Sequence, residues 1–135
     1  PQHCALCSTI TTAAGDGVAA STGDGGDARA ARVSAPRQMA AMADGGFLFA
    51  QPMCLRRVWG NGTITTLGGL CGTAGSAGDL QSLSTATTRF TSLYGVGADG
   101  YGGWMLGDVA LHTVRRWYAN GTVNTISGIH GSTAQ

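Results

Sequence analysis

Residues Leu55 to Gly69, LRRVWGNGTITTLGG, decide the architecture, because Val114 to Gly128 repeats them as VRRWYANGTVNTISG at an offset of 59. Each copy runs from an apolar residue and an Arg pair through Asn-Gly into a stretch rich in Thr, Ile and Val. β-branched and aromatic residues suit a pleated surface, and Asn-Gly tolerates the positive φ values of a tight type I′ turn. Both stretches therefore predict hairpins, turning at Asn61-Gly62 and Asn120-Gly121. A third, partial copy opens the chain, where Ser8 to Gly15 (STITTAAG) parallels Gly62 to Gly69 (GTITTLGG). Repetition at this period predicts one supersecondary unit per repeat, each stacked on its neighbours to bury an apolar face.

Outward from the hairpins, the same order of segments occurs twice. Gly15 to Val33 is a Gly/Asp loop running into an Ala/Arg segment that could make a turn or two of helix, and its counterpart is Gly72 to Phe90. Strands are predicted at Arg37 to Met42, Phe47 to Ala50, Cys54 to Trp59 and Thr63 to Leu67. In the second repeat they fall at Tyr94 to Gly97, Trp104 to Gly107, His112 to Tyr118 and Thr122 to Ile126. Asp44-Gly45 and Asp99-Gly100 supply turns. The fold class is all-β, with four short antiparallel strands per repeat. The segments are 1–15, the end of a preceding unit; 16–69, the first repeat; 70–128, the second; and 129–135, the start of another loop.

Composition agrees. The 135 residues are 43% hydrophobic, with 23 Gly against three Pro, so tight turns are abundant. Charged residues are 11% of the chain, and all are Arg or Asp. The missing Lys and Glu are strong helix formers. A net charge of +1 provides no general field to collect nucleic acid, which argues against a nucleic-acid partner. Arg56-Arg57 and Arg115-Arg116 read as solvated strand positions. No apolar run approaches the roughly 20 residues of a membrane span. The chain opens without Met and inside a repeat, so a processed product or an excerpt is expected, and the missing leader says nothing about secretion.

In this order the motifs resemble the NHL repeat, whose units are blades of a β-propeller. The fullest match is Trp104 to Trp117, WMLGDVALHTVRRW, and the family's Gly/Asp loop is echoed by Thr22-Gly23-Asp24-Gly25-Gly26-Asp27-Ala28 and Ala31-Arg32-Val33. The resemblance implies four-stranded antiparallel blades in an incomplete ring, with Asp108 and His112 making blade-stabilising hydrogen bonds. The first repeat departs from the pattern, with Gln51 in place of Asp and two residues fewer before Leu55. The second replaces Gly-Gly with Leu80-Gln81. Two repeats cannot close a ring of four to eight blades. The expected partners are further blades of the same polypeptide or neighbouring subunits.

Four Cys offer three readings: paired disulfides, free buried thiols, or zinc. Cys54, at the start of one hairpin strand, lies near the residues just past the end of its partner, close to Cys71, which favours a disulfide. Cys4 and Cys7 could close across the preceding turn, although short loops strain such bonds. Cys54 and Cys71 are too widely spaced for the second CxxC knuckle of a zinc ribbon. Asn61-Gly62-Thr63 and Asn120-Gly121-Thr122 are N-glycosylation acceptors on protruding turns, which makes N-linked glycans further expected partners. His3, His112 and His130 form no metal-ligand cluster, and nearly every Asp adjoins Gly, as turn formers do. No nucleophile elbow or phosphate loop is present, and no catalytic residue, metal ligand or cofactor site is expected.

These features predict a noncatalytic structural or interaction segment of an extracellular or cell-surface glycoprotein, in a setting such as a filament or appendage. A cytosolic NHL module binding protein or RNA is the alternative, and a propeller lyase or lactonase the third reading.

Overall fold

The computed structural model describes residues 9–129. They contain no helix and nine strands: β1 (Met39–Ala41), β2 (Phe47–Gln51), β3 (Cys54–Val58), β4 (Ile64–Gly69), β5 (Gln81–Ser82), β6 (Leu93–Ala98), β7 (Trp104–Asp108), β8 (Thr113–Trp117) and β9 (Thr122–Ser127). The first repeat forms an antiparallel sheet in the order β1-β2-β3-β4, and the second a sheet in the order β5-β9-β8-β7-β6. Four consecutive antiparallel strands per repeat are thus observed, with β5 added at one edge. Residues 9–15, matched to hairpin sequence above, form no strand.

The hairpin turns are of a different type from the one expected. Gly62 N–H donates to Trp59 C=O at 2.8 Å, and Trp59 N–H donates to Thr63 C=O at 2.8 Å. Gly62 has φ 87°, whereas neither Gly60 nor Asn61 has positive φ. This is a type I turn closed by a left-handed glycine bulge, not a type I′ turn, which needs two left-handed residues. Tyr118 to Thr122 repeat the pattern, with Gly121 at φ 91°. A bulge also recurs farther along, between Leu55 and Arg56 in the first sheet and between Val114 and Arg115 in the second.

The Ala/Arg segment makes turns, with Ala30 N–H bonded to Asp27 C=O and Ala31 N–H to Ala28 C=O, and no helix. Its backbone is drawn instead to the sheet edge: Gly25 N–H donates to Ile64 C=O, Ile64 N–H to Gly26 C=O, and Ala28 N–H to Gly62 C=O. In the second repeat β5 pairs with β9 in the corresponding place. Each Gly/Asp loop therefore covers part of the β4 or β9 edge, satisfying groups that an open edge leaves unpaired.

The sheets pack face to face. Leu48, Ala50 and Leu55 of the first bury against Leu93, Val96 and Leu106 of the second and Phe90 of the loop before β6, with Met42, Leu67, Leu83, Trp104 and Trp117 around them. The other face of the first sheet, with Phe49, Val58 and Ile64, is lined by Ala28, Ala31 and Val33 of its own loop. Covered on both sides, β2 is buried at four of its five positions.

Candidate functional site

The Arg pairs organise both repeats, and their first members are not solvated. Arg56 and Arg115 are fully buried. Alternation along a strand sends adjacent residues to opposite faces, and here it sends the first Arg of each pair under the Gly/Asp loop. Arg56 donates to Thr22 C=O, to Arg32 C=O and to Asp24 Oδ1 at 2.7 Å. Arg115 repeats this with Ala77 C=O, Arg89 C=O and Asp79 Oδ1 at 2.7 Å. A guanidinium presents five donors in a fixed fork, so one buried side chain can tie two loop carbonyls and a carboxylate to the strand. The second members reach the other turn: Arg57 pairs with Asp44 and Arg116 with Asp99.

Every one of these aspartates is held below its ordinary value. Burial pushes Asp24 up, and hydrogen bonds from Thr66 and Arg56 more than offset it. Asp79 has the same balance, with Thr125 and Arg115 as partners. The backbone N–H groups of Gly46 and Gly60 lower Asp44, and Tyr101 N–H is the largest influence lowering Asp99. Asp16, bonded by Val18 N–H, is lowered too. Among the described residues no group of three or more His, Cys, Asp or Glu side chains could hold a metal ion.

Cys54 and Cys71 form a disulfide with their Cα atoms 5.0 Å apart. Cys54 lies opposite Gly69 in the β3–β4 register, so two residues past that position bring the partner within reach. Cys4, Cys7, His3 and His130 lie outside the described residues. Asp108, buried at the end of β7, accepts from Thr91 N–H at 2.7 Å, Ser92 N–H at 2.9 Å and Leu111 N–H at 3.3 Å. His112 sits exposed on the β7–β8 turn with φ 55°. The imidazole hydrogen bond that the resemblance implies is not formed among the described residues. In the first repeat, Gln51 takes the place of Asp108 in the strand register and reverses the polarity. Its amide N–H groups donate to Ser34 C=O and Ser21 Oγ.

Asn61 and Asn120 are exposed. Asn61 Oδ1 accepts from Thr63 N–H at 3.0 Å. Asn120 Oδ1 accepts from both Thr122 N–H and Thr122 Oγ1–H. Arg57 stacks on Trp59 with its guanidinium carbon 3.5 Å from the ring centroid, and Trp59 Nε1–H donates to Thr65 Oγ1. Arg116 stands over Tyr118 at 4.8 Å.

The repeat leaves two complementary faces open. Val114, 59 residues after Leu55, is 36% exposed where Leu55 is 0%. Ile126, the counterpart of core-packed Leu67, is 46% exposed. On the opposite side Met39, paired with Phe49 as Val96 is with Leu106, is 60% exposed where Val96 is 2%. Met39 borders a groove lined also by Ala14, Val33, Pro36 and Phe47.

No family model matches the chain, and no curated protein matches it. Solved structures do. One is a protein of Bacteroides thetaiotaomicron VPI-5482, named a "putative phosphatase", with 20% identity and a TM-score of 0.62. The likeness covers 86% of this chain and 26% of that one, so this chain spans about a quarter of that protein's length. At this identity the likeness concerns the fold.

Proposed function

We propose that the chain is a noncatalytic structural segment of an extracellular or cell-surface glycoprotein. Its two repeats are NHL-type propeller blades that dock onto further blades of the same design. The observation that carries this reading is the exposure of Val114, Ile126 and Met39 at positions whose repeat counterparts are buried or packed against the core. The face that each sheet offers its neighbour is the face the internal interface already uses. The recurrence of a similar pair of sheets within a longer solved chain supports it.

The noncatalytic part is supported by what the polar groups do. Depressed carboxylates already saturated by Arg and backbone donors are poor proton shuttles, because a general acid or base works best with a pKa near the operating pH. The extracellular part is supported by the Cys54–Cys71 disulfide, since such bonds persist in oxidising compartments. The test is the structure of the intact parent polypeptide or particle. A further four-stranded sheet is expected against Val114 and Ile126; a helix, a lipid surface or solvent in that place would refute the docking.

A further inference from the structure

The two acceptor turns share more than Asn-Gly-Thr. Each is a five-residue turn with an aromatic residue first, Asn third and Thr fifth: Trp59-Gly60-Asn61-Gly62-Thr63 and Tyr118-Ala119-Asn120-Gly121-Thr122. The first and fifth residues face each other across the hairpin, as the Trp59 N–H to Thr63 C=O bond shows. Opposed residues project on one side of an antiparallel pair. The Trp59 Nε1–H bond to Thr65, two residues beyond Thr63, places the indole on that side and fixes its plane.

At the second turn the acceptor amide is drawn to the same side. Asn120 Oδ1 is held by both the amide and the hydroxyl of Thr122, and Asn61 Oδ1 by Thr63 N–H. Among the described residues no hydrogen bond engages either Nδ2, the atom that would carry a sugar. Along β3 and into the turn, Arg57, Trp59 and Asn61 are alternate residues. Arg57 occupies one face of the indole, and Asn61 follows on the turn side. Trp59 remains 37% exposed although the second sheet already covers its own sheet's face. Docking of a further blade therefore does not consume this platform.

We propose that the first N-acetylglucosamine of an N-linked glycan on Asn61 lies against the free face of Trp59, that the sugar on Asn120 lies likewise on Tyr118, and that each locks its hairpin. This rests on the extracellular reading above. Attachment forms the Nδ2–C1 bond and breaks the bond from C1 to the pyrophosphate of a lipid-linked oligosaccharide. The lipid pyrophosphate leaves with the electron pair, and one amide proton passes to a base. The axial C–H groups of a pyranose present an electropositive sheet to the electron-rich aromatic face, the preference that also seats a cation there. Arg57 on the opposite face holds the ring in place.

The test uses the full chain secreted from a eukaryotic host, as the native sequence, as Trp59→Phe, and as a Trp59→Ala/Tyr118→Ala double variant. Each is examined fully glycosylated, trimmed enzymatically to one sugar per site, and stripped by an amidase that leaves Asp. Trimming to one sugar is expected to leave the Tm unchanged. Stripping should lower it by about 3 °C or more in the native chain and in Trp59→Phe, and by less than about 1 °C in the double variant. Proton spectra of the native chain should show the first sugar's ring protons moved upfield by the indole, a readout that needs no variant. Unshifted protons, or an equal loss of Tm on stripping all three proteins, would overturn the stacking while leaving the glycoprotein reading intact. Unmodified Asn61 and Asn120 in the mass spectrum would overturn both.

Discussion

Arg56 and Arg115 show how one residue can hold a repeat together. Each is a buried cation whose hydrogen bonds all run to one Gly/Asp loop, so the loop position and the strand position are mutually dependent. Replacing Arg115 by Met keeps much of the side-chain volume but leaves two loop carbonyls without their donor. Asp79 is partly exposed and can rehydrate, which limits the cost. We expect a loss of about 3 kcal/mol in urea unfolding followed by Trp fluorescence. Arg116→Met should cost less, because Arg116 is itself partly exposed and the buried Asp99 keeps its bonds from Tyr101 N–H and Gly103 N–H. The same pairs set an acid limit. Asp24 and Asp79 have folded values below the ordinary 3.8. Their contribution is complete above the unfolded value and disappears as pH falls through the folded one. The urea midpoint should thus hold steady from pH 7 to about 5 and decline below about pH 4. A midpoint that rises on acidification would contradict the pairing. None of this was legible in the sequence. A charged residue in a strand is exposed by default, and only the loop overhead reverses the expectation.

At the scale of elements, the hairpins could be read because turn chemistry and β-branched runs coincide, and the predicted strands fall within a residue or two of the observed ones. The turn type could not, since Asn-Gly serves a type I′ turn and a type I turn with a glycine bulge equally well. What decides it is the fifth residue, which gives each loop one more position than the shorter turn allows. The Ala/Arg segment departs from the expected helical turn for a related reason. Local propensity favoured helix, but backbone bonds to β4 outcompete a single helical turn. The disulfide was legible because a hairpin brings the two ends of its strands together. Cys54 and Cys71 close a loop of 17 residues, and replacing both by Ser should cost about 3 kcal/mol in the chain-entropy model, visible as a lower Tm. Gly69 is a sharper probe of the same corner. It has φ 77°, and a Cβ there would run into Met53 C=O and Phe90. Gly69→Ala should therefore cost about 2 kcal/mol with the disulfide intact, and a neutral result would mean that the corner relaxes.

The described residues form a pair of like sheets stacked so that one face of the first meets the opposite face of the second. Such an interface is heterologous, and it leaves an unused copy of each half at the two ends. The repeat offset of 59 was enough to foresee stacking, but which residues form each half became visible only by comparing exposure at matched positions. Leu55 against Val114 and Val96 against Met39 define the two halves. This asymmetry permits a complementation experiment on purified chain at high concentration, read by light scattering. Native chain is expected to self-associate beyond the dimer, because each added copy restores both faces until a ring closes. Val114→Asp removes one half and Met39→Asp the other, so each variant alone should remain monomeric. Mixed together, they still possess one sound face of each kind. The mixture should therefore stop at a one-to-one dimer, with Met39→Asp contributing its Val114 side and Val114→Asp its Met39 side. A symmetric interface predicts a different pattern, in which one variant self-associates like the native chain and the mixture forms no defined pair. Either of those outcomes would remove head-to-tail stacking as the reason for the open faces.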